Sequence, residues 1–259
     1  MELHKAIPQI ENVIKELVLP EWLNGKEGTL LNINRGNNDW NHLMETCRCF
    51  QNLYDVICSA RLNLACACRE DYPELLDPNN PQISHIWMRS QFVNNAILWY
   101  NAAFDLTLPP LWMYYKIYSK VKPNLRLTTE NLEKILESCR YESLKKNSPK
   151  ELGNDILPQL EELNTYMQGS IRHWANTLKH RRKIEYIELS KNDHPISVGG
   201  TFKIEKDEQG KTILKMNKGD YNSSDTINRI DMTEVIHTLI SFHKKLVPIT
   251  KEINGKIYL

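Results

Sequence analysis

Two histidines, an asparagine and an arginine fall within one short run, Ile171-Arg172-His173-Trp174-Ala175-Asn176-Thr177-Leu178-Lys179-His180-Arg181-Arg182-Lys183. At 3.6 residues per turn, His173 and His180 lie about 20° apart around a helix, and Asn176 lies about 40° from His180. The three therefore share one face, with Arg172 at its edge. Ile171, Trp174 and Leu178 take the opposite flank and can bury. An imidazole titrates near neutrality and suits general acid–base work, while a guanidinium matches phosphate oxygens in pairs. A helix with an apolar stripe on one flank and His, Asn and His on the other presents those groups to something outside it. A blander reading also accounts for the basic run Lys179, Arg181, Arg182 and Lys183, because cations complement the negative end of a helix dipole.

The run from Asn176 to Arg181, with Arg172 before it, resembles the late-helix motif of HEPN-domain proteins. That motif is an arginine, a polar residue, three to five further positions and a histidine. Upstream, Ala96-Ile97-Leu98-Trp99-Tyr100-Asn101-Ala102-Ala103-Phe104-Asp105 resembles the helix bearing Tyr-Asn and Asp that often precedes it. The resemblance extends loosely over residues 40–250 and is motif-grade only over 172–181. It implies a helical protein that pairs through its motif helix as a homodimer. Many such proteins are metal-independent endoribonucleases of toxin or phage-defence type, and others are binding or assembly modules.

In the catalytic form the resemblance makes His180 the general base or acid on a ribose 2′-hydroxyl. Arg172 steadies the phosphate, and Asn176 and His173 orient the phosphate or the histidine. Lys179, Arg181, Arg182 and Lys183 would hold nucleic acid, and no metal or cofactor is expected. Asn101 and Asp105, four apart, share a helix face and either orient a basic residue of the motif helix, such as Arg172, or form an exposed, solvated pair. With His180 as the motif histidine and Asn176 as the polar residue, Ala175 stands where the pattern has its arginine. Arg172, one turn earlier, is the substitute, with His173 as its polar neighbour.

Three readings follow. The first is a metal-independent endoribonuclease whose activity depends on His180. The second is an inactive HEPN-like module binding RNA, a nucleotide or a partner protein through an open basic face. The third is a helical scaffold unrelated to HEPN proteins, in which the His173/Asn176/His180 face is buried or merely solvated.

Composition narrows the field. The 259 residues are 41% hydrophobic and 25% charged, ordinary for a globular chain. A formal net charge of +1 excludes nucleic-acid binding through a global positive field, so any such binding needs a local patch. Glycine is scarce, at 10 residues, which disfavours Gly-rich nucleotide-binding architectures. The start Met1-Glu2-Leu3-His4-Lys5 has no signal-peptide core and no stretch is apolar enough to span a membrane, so the expected location is cytoplasmic. There the cysteines Cys47, Cys49, Cys58, Cys66, Cys68 and Cys139 stay reduced. Cys47-Arg48-Cys49 and Cys66-Ala67-Cys68 invite a zinc reading, but residues two apart on a helix point about 200° from one another.

The elements that must position these groups are mainly helical. The expected fold is a bundle of long antiparallel helices with a small β-hairpin at about 200–217 before the C-terminal helix, all in one domain over 1–259. A short helix over 5–18 and a loop over 21–38 form an appendage. Asp39 reads as the cap of a helix over 40–70 with the seam Leu43, Cys47, Phe50, Tyr54, Ile57, Arg61, Leu64 and Cys68. Arg61 interrupts that seam and needs a partner if buried.

A second helix covers 83–107 and is broken by Pro109-Pro110, and a shorter one runs from Leu111 to Lys120. Its aromatics, Trp87 to Tyr118, are spaced for a core. Another opens at Thr128-Thr129-Glu130 and ends near Cys139, and 145–154 reads as loop with room for a partial helical turn. The motif helix spans 155–182 with Pro158 in its first turn, followed by an extended 183–189. Strand-like 201–205 and 212–216 flank Asp207-Glu208-Gln209-Gly210. The final helix, 232–252, shows Val235, Leu239, Phe242 and Leu246 on one face, while His237 and His243 lie on different faces.

Overall fold

The computed structural model describes residues 7–20, 40–70, 72, 81–148, 150–153, 155–180, 183–190, 200–206, 212–218 and 229–257. The chain is mostly helical, and two long helices set its frame: α2, Trp40–Ala67, and α3, Pro81–Leu106, which pack along one another. The buried stripe of α2 is Phe50, Leu53, Ile57, Ala60, Leu64 and Ala67, at alternating spacings of three and four. Tyr54 and Arg61, expected on the seam, sit at its half-buried edge instead, with Leu53 and Ala60 at the centre. Arg89 ties the start of α3 to the end of α2: its Nε donates to the Ala67 carbonyl at 2.9 Å and its Nη2 to that of Arg69 at 2.8 Å. The last carbonyls of a helix have no partner within it, and a cation at that end also suits the dipole.

The chain before α2 is stitched into the core. Helix α1, Ile10–Glu16, and the residue after it bury Val13 and Leu17. Arg61 finds its partners here: Nε donates to the Leu17 carbonyl at 2.6 Å and Nη2 to that of Ile14 at 3.3 Å. Lys244 pairs with Glu16 at 2.9 Å. The loop expected over 21–38 and the Asp39 cap lie outside the described residues.

Pro109-Pro110 do not delay the next helix to Leu111. Helix α4, Leu108–Tyr114, begins before them and carries both prolines in its first turn, where a missing N–H costs no hydrogen bond. It also stops short of Lys120: Lys116 takes a left-handed backbone, φ 51°, and α5 is a separate turn, Ile117–Val121. After α6, Leu132–Glu137, the described part of the polar stretch 145–154 is more helical than the partial turn expected: residues 145–147 close α7, Tyr141–Asn147, and α8 is Lys150–Gly153. Leu144 and Leu152 are fully buried there, so two apolar anchors outweigh the polar composition around them.

The expected single helix over 155–182 is three pieces: α9, Ile156–Tyr166, a π-helical turn Met167–Ile171, and α10, Arg172–His180. Residues 183–185 then lead to Tyr186, which forms a parallel bridge with Ile230, and the short helix α11, Ile187–Ser190, follows. Strands β1, Gly200–Lys206, and β2, Thr212–Lys218, pair antiparallel with Ile204 opposite Leu214, while the residues joining them lie outside the described residues.

Helix α12, Met232–Ile257, runs beyond the expected 252 and contains Pro248. Asp231 caps it by accepting from the Thr233 amide at 2.7 Å, and the Glu188 carboxylate accepts from that of Met232 at 3.0 Å. Val235, Leu239, Phe242 and Leu246 all face the core. No helix among the described residues is long and apolar enough to cross a membrane. Cys49 and Cys68 are buried while Cys47 and Cys66 are half-exposed, and burial pushes the Cys49 thiol up to about 12.

Candidate functional site

Helix α10 packs on α3, and Arg172 at its first position reaches across to it. The π turn immediately before it contains one residue more than an α-turn holds. It therefore rotates all that follows by about 100° relative to an uninterrupted helix. In this phase Ile171, Trp174 and Ala175 turn inward, and Arg172 lies against the end of α3. Its guanidinium meets Asp105 with both forks: Nη1 donates to Oδ2 at 3.1 Å and Nη2 to Oδ1 at 2.7 Å. The guanidinium carbon also stands 5.9 Å from the centre of the Phe104 ring.

Asn101, one turn back on α3, is 2% exposed, and its Oδ1 has no hydrogen-bond partner among the described residues. The Nε of Arg172 is buried without an acceptor in the same sense. Of the two residues expected to orient Arg172, Asp105 does so directly. Asn101 forms no hydrogen bond to it.

The remaining motif residues lie elsewhere on the helix. His173, Asn176, Lys179 and His180 are exposed, and Lys183 beyond the helix is exposed as well. Arg181 and Arg182 lie outside the described residues. The side chains of His173, Asn176 and His180 form no hydrogen bond or ion pair among the described residues, and Thr177 hydrogen-bonds back to the His173 carbonyl at 3.0 Å. Eight residues separate Arg172 from His180, which is about 12 Å along the axis and about 80° around it.

The structure thus divides the expected constellation in two. One part is an arginine held to α3 by a carboxylate. The other is an exposed His/Asn/His face ending in a basic run. Ala175, at the position where the motif has arginine, is 0% exposed, so an arginine there would enter the core.

The polar chemistry that sequence reasoning missed is deeper. His243, on α12, is 1% exposed. Its Nε2 lies 2.8 Å from the Val18 carbonyl, and its Nδ1 lies 3.0 Å from the Tyr100 hydroxyl. A carbonyl only accepts, so Nε2 carries the proton and Nδ1 accepts from Tyr100. Burial lowers the His243 pKa to about 4, helped by the neighbouring Arg61 charge and opposed by the Val18 carbonyl. Burial also raises the Tyr100 hydroxyl well above its ordinary range.

A second buried pair joins Tyr186, after the motif helix, to Asn94 on α3, with the hydroxyl donating to Oδ1 at 2.7 Å. Tyr100, Phe104 and Trp112 fill the core as expected of the aromatic run, whereas Trp87 and Trp99 remain exposed.

Among the described residues no group of three or more His, Cys, Asp or Glu side chains is placed to hold a metal ion. No family model, curated protein or solved structure matches the chain.

Proposed function

We propose that the protein is a HEPN-like module that binds RNA through the exposed, basic end of α10 and does not cleave it. The observation that carries this is the separation within the motif. The Arg172 guanidinium is held by both oxygens of Asp105, two turns from His180. His180 can move a proton, but the motif guanidinium that would meet the developing phosphate charge stands two turns away from it. What His173, Asn176, Lys179, His180 and Lys183 retain is a solvent-facing set of donors for phosphate oxygens. Arg181 and Arg182 add charge to the same run. Pairing of two copies through this helix would double the patch, a local field that the net charge of +1 does not provide.

The test is to incubate the purified protein with a mixture of single-stranded RNAs in excess chelator, following cleavage on gels and binding by fluorescence anisotropy. Sedimentation in parallel reports pairing. Intact RNA, with affinity that falls as salt rises and is lost in Lys179→Glu/Lys183→Glu, supports the binding reading. Chelator-resistant cleavage that disappears in His180→Ala replaces it with the endoribonuclease reading. Absence of both binding and cleavage leaves a helical scaffold.

A further inference from the structure

We propose that Asp105 is an internal anion occupying a phosphate-binding fork on Arg172, and that a phosphate group of the ligand takes its place. This rests on the RNA-binding reading for the source of that phosphate and on geometry for the fork itself. A carboxylate meeting both terminal nitrogens of a guanidinium, here at 2.7 and 3.1 Å, uses the same pair of parallel N–H bonds that two phosphate oxygens would use. The fork is therefore already shaped for an oxyanion, and Asp105 holds it in that shape.

Further features mark the pair as exchangeable rather than structural. The Asp105 side chain is 50% exposed and that of Arg172 is 25% exposed, so the carboxylate can turn into water without crossing the core, while the guanidinium is kept in place over Phe104. Asp105 lies in the last turn of α3, where a negative charge faces the negative end of its own helix dipole. Arg172 is what offsets that placement, and an external phosphate has no such disadvantage.

The pair also leaves hydrogen-bonding capacity unused beside it. Arg172 Nε is a buried donor without an acceptor. Buried orphans of this kind are uncommon in a settled native arrangement. A phosphate group is larger than a carboxylate and offers more oxygens, so one of them can take the Nε–H that Asp105 leaves. The π turn directly before Arg172 is the second unusual element at the same place, and such turns cluster at functional sites.

The closing experiment uses the full chain and two probes, inorganic phosphate and a single-stranded oligoribonucleotide, each titrated calorimetrically. The proteins are the parent, Asp105→Asn, Asp105→Ser and the double variant Asp105→Asn/Arg172→Gln, with circular dichroism confirming that each is folded. Two Asp105 variants guard against one failing to fold, and the exposed, dipole-opposed position makes both tolerable. Opening the fork should tighten inorganic phosphate binding about tenfold or more in both, the gain expected of one charge-assisted pair. The double variant should return to the parental value.

Equal phosphate affinity in the parent and both Asp105 variants overturns the exchange. If RNA then still binds through Lys179 and Lys183, the RNA reading survives without it. A gain for inorganic phosphate with no RNA binding by any protein supports the fork and removes RNA as the source of its ligand. A gain that persists in the double variant overturns the assignment to Arg172.

Discussion

Between Val18 and Tyr100 the ring of His243 has a donor on one side and an acceptor on the other, both already used by the neutral form. A second proton would have to displace the Tyr100 hydroxyl hydrogen, and it would place a charge in the core near Arg61. The folded pKa is accordingly about 4, against 6.5 for an ordinary histidine.

The sign of the stability effect follows from which state binds the proton. Above pH 6.5 both states are neutral and the histidine contributes no slope. Between 6.5 and 4 the unfolded chain takes up a proton that the folded chain refuses, so stability falls as the pH falls. One pKa unit corresponds to about 1.4 kcal/mol, which makes the loss relative to neutral pH about 2 kcal/mol at pH 5 and about 3 kcal/mol at pH 4.

Carboxylates titrate over part of that range, so the measurement compares the parent with His243→Gln. That amide can still donate to Val18 and accept from Tyr100 but does not titrate. Urea unfolding followed by circular dichroism at pH 7, 6, 5 and 4 should show the parent losing about 2 kcal/mol more than the variant by pH 5. Amide exchange over residues 7–20 should rise in the parent over the same interval, because Val18 is one end of the latch. A difference between parent and variant that stays flat from pH 7 to pH 5 would refute the reasoning.

Three other outcomes are expected. Ala175→Arg places an unpaired cation at a fully buried position and should cost on the order of 3–5 kcal/mol by chemical denaturation, while conferring no RNA cleavage. Arg61→Met removes both bonds to the carbonyls of Leu17 and Ile14, and hydrogen exchange should show residues 7–20 opening before the rest of the bundle, at a cost of about 1–3 kcal/mol. Tyr186→Phe leaves the buried Asn94 Oδ1 without its donor and should lower stability by about 1–3 kcal/mol in the same assay, with RNA affinity unchanged.

The long helices were legible because their apolar stripes recur at the helical period, as in Phe50, Ile57 and Leu64 of α2 and Val235, Leu239 and Phe242 of α12. Length and composition served less well between 145 and 154. Among the described residues Leu152 is the buried one within that stretch and Leu144 the one just before it, and two positions eight apart carry no period. Pro109-Pro110 misled for a local reason: the same ring that breaks a helix interior is welcome in a first turn.

At the site, the shared exposure of His173, Asn176 and His180 followed from a helical wheel because all three lie within α10. The pairing of Arg172 with Asp105 was among the expectations, but the helical phase that delivers it was not. A uniform 3.6-residue period across 155–182 cannot contain a π turn, and that turn decides which side of the helix meets Asp105. His243 was out of reach for a different reason. Its partners stand 143 and 225 residues away in sequence, and no local pattern records a pairing at that separation.

The π turn also changes what the chain can tolerate. Removing a residue from within a helix normally spins everything beyond it by about 100° and ruins the packing. Between Met167 and Ile171 the helix already carries one residue too many, so losing one there would relax the turn to ordinary α geometry while α9 and α10 keep their facing. That short stretch is where the motif helix can be shortened without being re-aimed, and Arg172 would reach the same carboxylate from a chain one residue shorter.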